Sequence, residues 1–390
     1  MTSPPASCDI AVVGGGILGL STARELKRRD GRRRLVVLER ERRLAAHQSS
    51  HNSGVIHAGI YYRAGSLKAQ LCVAGARDLY RYCDARGVHY ERRGKLIVAS
   101  SREELPRLDE LHERATANDV PGLRRLSGEE LREVEPHCVG LAALHSPSTG
   151  VVDFAAVAEA LAADLRASEV PVVTGCEVSG VRRRPRDLEV QHEKGATGAR
   201  FVVFCAGAWS DVLAQRAGAP DDPRIVRFLG RYLYLRPEPA RLVRSLIYPV
   251  PDPSLPFLGV HLTRHIDGRV SVGPTALLQP RLRSLTWPGT WRMARRFWRP
   301  GIAELRQALS SRALASAATR YVPELTPDDF DGGFAGVRAQ ALARNGSLLD
   351  DFVISQTERA LHVRNAPSPA ATSSLAIARV IADRAEQALG

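Results

Sequence analysis

Asp9-Ile-Ala-Val-Val-Gly14-Gly15-Gly16-Ile-Leu-Gly19, with Leu35-Val-Val-Leu38-Glu39 following at the end of the next apolar run, is the stretch that decides the fold of this chain. A short apolar strand, a Gly-x-Gly-x-x-Gly turn, a helix and a second apolar strand closed by an acid make up the dinucleotide fingerprint. Gly14 permits the tight turn, and Gly16 lets the backbone approach a pyrophosphate. Gly19 lets the helix pack close to the strand, and Glu39 can accept from a ribose hydroxyl. The helix N-terminus adds free N–H groups and a partial positive charge.

Outward from this unit, His47-Gln-Ser-Ser-His-Asn-Ser-Gly54 reads as a polar loop. A helix is expected from Ser66 to about Arg86, then a strand over Gly94-Lys-Leu-Ile-Val-Ala-Ser100. Ser101-x-x-Glu104 and Ser127-x-x-Glu130 have the form of capping boxes, and Asp153 is the expected N-cap of an alanine-rich helix reaching about Ser168. Strands are expected at 171–174, 177–182, 188–191 and 200–205, the last ending in a turn at Gly207. Further strands at 232–235, 258–262 and 269–272 suggest an antiparallel sheet. Residues 286–320 read as helical, and the tail from Pro367 to Leu389 as a final helix. The expected architecture is α/β: a Rossmann-like dinucleotide domain (8–86, 145–215 and 330–390) interleaved with an antiparallel-sheet substrate domain (87–144 and 216–329).

Composition narrows the classes. The net charge of +13 invites a nucleic-acid partner, but nearly all of the 55 basic residues are arginine, lysine standing only at Lys27, Lys68, Lys95 and Lys194. That bias reads as genome composition, and the dense run from Arg24 to Arg43 as a solvated face, so no nucleic acid is expected. Weak attraction to an anionic membrane surface stays open. No transmembrane stretch or signal peptide is read, giving a cytoplasmic expectation, with peripheral contact at the inner membrane face. The six scattered cysteines have no zinc spacing and no metal is expected.

The fingerprint fits a nicotinamide or a flavin enzyme. Its extreme N-terminal place, the second strand–glycine turn at Gly207 and a C-terminal helix opening near Arg364-Asn365-Ala-Pro367-Ser368 favour FAD, because a helix N-terminus stabilises the anionic reduced ring.

His51-Asn-Ser-Gly-Val-Ile-His57-Ala-Gly-Ile-Tyr61-Tyr62, with Gly65-Ser-Leu-Lys68-Ala-Gln, resembles the L-2-hydroxyglutarate dehydrogenase/oxidase family of the D-amino-acid-oxidase-like FAD superfamily (glutathione-reductase type). The likeness recurs at Gly94–Val98, Thr149–Asp153, Ile247–Pro251, Phe257–His261, Ala335–Gln340 and His362–Thr372. It implies noncovalent FAD, oxidation of a 2-hydroxy acid such as L-2-hydroxyglutarate to the 2-oxo acid, and oxygen or a quinone-linked carrier as acceptor. A biosynthetic tailoring oxidase of another hydroxy acid or an amino acid would share fold and cofactor. Two departures fall in the substrate domain. Phe228-Leu229-Gly230-Arg231-Tyr232 replaces an arginine by leucine and an acid by arginine, and the 276–300 stretch is short and basic.

Such chemistry needs a proton acceptor and a cation for the carboxylate. His57 is the first candidate base and His261, at the end of its expected strand, the second. Arg338 is the candidate carboxylate clamp. Tyr61, Lys68, Tyr248 and Arg231 are candidate substrate ligands. The cofactor set is Gly14, Gly16, Gly19, Glu39, Arg40, Gln48, Ser49, His51, Asn52, Ser53, Val178, Gly207, Asn365, Pro367 and Ser368.

Overall fold

The computed structural model describes residues 3–253, 258–299, 301 and 310–389. Ser7–Val13 is the central strand of an eight-stranded sheet. It pairs in parallel with Leu35–Leu38 on one side and with Gly195–Phe204 on the other. Ile10, Ala11 and Val12 are wholly buried, as an unbroken apolar run between two helical layers requires. Ala360–Asn365 joins Gly195–Phe204 in parallel, so the tail of the chain completes the sheet begun at its head.

Helix Ile17–Arg29 packs on Phe154–Ala167 and on the C-terminal helix Ser374–Leu389, and Leu20, Ala23, Leu26, Leu161, Ile377 and Ile381 share one core. Each fully buried Leu or Ile contributes about 1.5–3 kcal/mol. The arginine run is more structured than a solvated face. Arg24 pairs with Asp164 at 2.6 Å, and Arg29 reaches Glu25, Asp383 and Glu386, tying the first helix to the last.

The second sheet is mixed rather than purely antiparallel: Lys95–Ala99 runs parallel to Leu246–Pro249 and antiparallel to Ala142–Ser146. Arg224–Leu235 and Phe330–Leu342 pair along nearly their whole length, from Arg224↔Leu342 to Leu235↔Phe330. The strand at 330–342, placed on the dinucleotide side by the sequence boundaries, thus lies in the second sheet. A small third sheet joins Val55–Ile56, Gly150–Val152 and Tyr90–Glu91.

Local expectations divide by what surrounds them. Ser127 forms its capping box with Glu130, Asp153 accepts from Ala155 N–H, and Ser66 caps Leu67–Arg86. Ser101 forms no side-chain cap, because Glu104 turns inward to accept from Ser100 N–H at 2.7 Å and from Arg320 at 2.6 Å. His261 opens the strand His261–Arg264 instead of ending one. Pro288–Arg296 and Ser311–Thr319 are helical, while Phe257, Pro300 and 302–309 lie outside the described residues.

Candidate active site

A cavity of about 750 Å³ starts at the fingerprint turn and ends among side chains of the second sheet. Its floor is made by the carboxyl ends of parallel strands, Val13-Gly14, Leu38-Glu39 and Cys205, where open α/β sheets bind ligands. Gly14, at φ +115°, leaves no room for a Cβ against the Cys205 carbonyl, and a Cβ on Gly19 would strike the Gly14 carbonyl. A Cβ on Gly16 would meet only Ser49 Oγ, 3.2 Å away. Gly16 therefore answers to whatever occupies the cavity more than to the fold. Ser49 Oγ accepts from Ile17 N–H at 3.1 Å, so the fingerprint helix presents an N–H to an oxygen at its entrance.

Glu39 already has partners: its carboxylate accepts from Gly15 N–H at 2.5 Å and from Glu41 N–H at 2.8 Å. It also lines the cavity, and an ionised carboxylate has acceptor capacity beyond these two bonds. Arg40 pairs with Glu41 and lies over the Trp209 ring at 3.8 Å, a contact that no sequence motif signals. The polar loop ties itself together, with Asn52 bonded to Gln48 O, Ser49 O and Gly54 N–H. Gln48, His51, Ser53, Val178 and Gly207 line the same space, as do Pro367 and Ser368. Asn365 lines it too, but its amide bridges Ala341 N–H, Leu349 O and Asp351 O, a structural clasp between strands. Gly336 matters here: a Cβ there would collide with the His51 carbonyl, so this glycine lets the second sheet touch the loop.

At the far end stand His57, Tyr61, Lys68, Tyr248, His261 and Arg338. His57 and Tyr61 share the loop after Val55–Ile56, while Lys68, Tyr248, His261 and Arg338 come from four further elements, and the loop and those elements meet only in the fold. His57 N–H donates to Thr372 Oγ1 at 3.1 Å, its Nε2 faces Ser368 Oγ at 3.4 Å, and Nδ1 is buried without a partner among the described residues. His261 Nδ1 lies 2.9 Å from the Gly259 carbonyl. A carbonyl only accepts, so Nδ1 carries the proton and Nε2 keeps its lone pair. The His261 ring is stacked on Tyr248 at 3.9 Å. Burial drives both imidazoles down, His57 well below its ordinary value and His261 to about 3, with the nearby cations Lys95 and Arg338 adding to the effect. Both are neutral at pH 7. Arg338 donates to Tyr232 Oη at 3.4 Å. Lys68 is held by Asp350, 2.7 Å from Oδ1. The Tyr61 hydroxyl is buried with no partner among the described residues.

Arg231 does not line this cavity. It borders a separate open recess with Arg312, Asp328 and Asp331, and is set aside as a substrate ligand. Its neighbour Tyr232, missed in the sequence, reaches the cavity because adjacent strand residues point oppositely.

A glycine cradle in which Gly16 faces only the Ser49 hydroxyl, an acid at the second strand, and polar atoms at the far end unpartnered among the described residues suit a long dinucleotide whose reactive ring lies near the histidines. The fold and cavity define a flavin-dependent oxidoreductase. The chain belongs to the FAD dependent oxidoreductase family (DAO), whose model matches residues 9–384, and FAD is its cofactor. It is 44% identical to the mitochondrial L-2-hydroxyglutarate dehydrogenase of Nematostella vectensis, over 98% of this chain and 91% of that one. Identity is 43% to the mitochondrial enzyme of Homo sapiens, over 98% and 89%. It is 40% to the L-2-hydroxyglutarate dehydrogenase of Indibacter alkaliphilus, over 96% and 98%. Among solved structures, L-alpha-glycerophosphate oxidase from Mycoplasma pneumoniae superposes with a TM-score of 0.81 at 24% identity, covering 98% of this chain and 94% of that one. Glycine oxidase from Geobacillus kaustophilus gives 0.74 at 19%, over 98% and 95%, so these two share the fold.

Proposed function

We propose that this protein oxidises a 2-hydroxy acid to the 2-oxo acid, with L-2-hydroxyglutarate as substrate. The observation that carries the reading is the continuity of one cavity from the fingerprint turn to His57, His261 and Arg338. The relatives named above, similar over nearly the full chain, support the substrate.

Gly14, Gly16, Gly19, Glu39, the 48–53 loop, Gly207 and the 365–368 segment would hold FAD, which when bound accepts a hydride. Arg338 holds the substrate carboxylate through the planar fork of its guanidinium. His57, neutral because it is buried, takes the hydroxyl proton at Nε2, the nitrogen that faces Ser368. His261, fixed as the Nδ1–H tautomer, presents a second acceptor nitrogen across the site. Tyr61, Tyr232 and Tyr248 wall the reaction off from water. Anaerobic bleaching of the flavin by a panel of L- and D-2-hydroxy acids and amino acids is the test. Reduction by L-2-hydroxyglutarate well ahead of the others is expected, whereas a preference for an amino acid would sink the reading.

The acceptor is inferred to be a quinone-linked carrier reached at an anionic membrane surface on the cytoplasmic side. No helix among the described residues is long and apolar enough to cross a membrane. Leu282, Leu285, Trp291 and Trp298 are exposed on one short stretch that also carries Arg292, Arg295, Arg296 and Arg299. That combination of exposed apolar and basic side chains suits a segment lying at a membrane interface. Arg296 and Phe297 of the same stretch line the cavity. Cosedimentation with phosphatidylglycerol vesicles but not phosphatidylcholine vesicles, lost in a Trp291→Ser/Trp298→Ser variant, is the expected result. Equal recovery with both lipids would leave oxygen as the acceptor.

A further inference from the structure

Lys95 is the first residue of the buried strand Lys95–Ala99 and is 1% exposed. A buried ammonium is costly unless something compensates it. No carboxylate pairs with Lys95 among the described residues, and its Nζ lies 4.1 Å from the Tyr248 ring centroid and 5.2 Å from that of Tyr61. Both tyrosines line the cavity, and Lys95 sits immediately behind them without opening onto it. Tyr248 is also the ring on which His261 stacks. Asp350, the acidic residue lining the cavity at this end, is already taken by Lys68.

We propose that Lys95 is a positioning residue for substrate charge: its ammonium, held behind the Tyr61–Tyr248 wall, makes the site favour a doubly negative 2-hydroxydicarboxylate over a monocarboxylate. This rests on the hydroxy-acid reading above. Lys95 acts through the aromatic wall and through space, where the low dielectric of a closed site lets a charge act over several ångströms. The second carboxylate of the substrate supplies the counter-charge that the protein withholds. A leucine or methionine at this position would leave the wall equally apolar and the strand equally buried, so packing alone gives no reason for an ammonium here.

The groups facing Lys95 are His57 and His261, the thiol of Cys72, and the phenols of Tyr61 and Tyr248. The two histidines are neutral above pH 6.5, and burial holds the Cys72 thiol up at about 12. Lys95 itself is brought down by burial to about 7. Its charge is therefore the one that disappears as the pH rises through neutrality.

The test is stopped-flow reduction of the FAD-loaded enzyme by 2-hydroxyglutarate and by 2-hydroxybutyrate, read as the apparent Kd of each. Lys95→Met should weaken the dicarboxylate by about tenfold or more and the monocarboxylate by less than about threefold. Lys95→Arg should keep the preference. In the wild type, which needs no altered protein to fold, the dicarboxylate preference should decline from pH 6.5 to pH 8.5 and the monocarboxylate Kd should stay flat. Equal weakening of both acids in Lys95→Met, or a preference independent of pH in the wild type, overturns the proposal. Failure of the wild type to be reduced by either acid would instead overturn the hydroxy-acid reading.

Discussion

The imidazole of His261 lies on the ring of Tyr248 with centroids 3.9 Å apart and planes 18° apart, while its Nδ1 is pinned 2.9 Å from the Gly259 carbonyl. Stack and hydrogen bond together fix one tautomer and one orientation. Among the described residues His57 has no such anchor: its ring meets Ser368 at a long 3.4 Å and leaves Nδ1 unpartnered. One histidine is rigidly placed and the other is free to engage a ligand.

That contrast separates their substitutions. His57→Ala should slow flavin reduction by about 10²–10⁴-fold with FAD still bound, the usual loss for a general base. His261→Ala should also lose reduction rate but additionally loosen Tyr248, visible as a lower melting temperature. Rapid-reaction kinetics with both variants checks this; near-normal reduction in His57→Ala with a severe defect in His261→Ala would transfer the base role to His261.

Gly16→Ala should fold normally and lose FAD. The added methyl meets only Ser49 Oγ at 3.2 Å within the protein, but stands where the backbone must approach the pyrophosphate. Gly19→Ala, by contrast, drives a methyl into the Gly14 carbonyl and should be unstable with or without cofactor. Flavin absorbance of the purified variants and their thermal melts tell the two cases apart.

Arg338→Lys keeps the charge but loses the fork that grips a carboxylate with two parallel bonds. Apparent substrate affinity should fall by about 1–3 kcal/mol, the range of a lost charge-assisted bond. FAD content and melting temperature should hardly move. Lost stability with unchanged substrate kinetics would make Arg338 a structural residue of the 330–342 strand.

Acid should destabilise the protein earlier than carboxylate protonation explains. Burial lowers His261 to about 3 and His265 and His362 to about 4, and lowers His57 as well. The unfolded chain binds these protons near pH 6.5, the folded chain only at lower pH, about 3 for His261 and about 4 for His265 and His362, so stability present at pH 7 is lost as the pH falls from 6.5 towards 4. Each such histidine contributes a slope of about 1.4 kcal/mol per pH unit. Urea midpoints at pH 7, 6 and 5 should fall steadily, and His362→Asn should flatten the decline.

The sequence by itself determined the cofactor unit, because its signals are local. The glycines, the acid at the strand end, the capping serine at 127 and the apolar strand 7–13 each act on neighbours close in the chain, and hydrophobic period and turn chemistry register there. The long motifs also carried the family, since a run such as His51–Tyr62 is specific as it stands. The tertiary structure decided the reacting end. His57, Lys95, Tyr248, His261 and Arg338 lie on five separate stretches of chain, and no local pattern reports their meeting. Arg231 and Tyr232 are adjacent in sequence, yet only Tyr232 reaches the cavity, because the pleat of one strand turns neighbouring side chains opposite ways. The only trace of Lys95 was a lysine heading an apolar strand in a chain whose other cations are nearly all arginine. Its burial behind two aromatic rings depends on the strands laid beside it at 142–146 and 246–249, and that pairing exists only once the chain has folded.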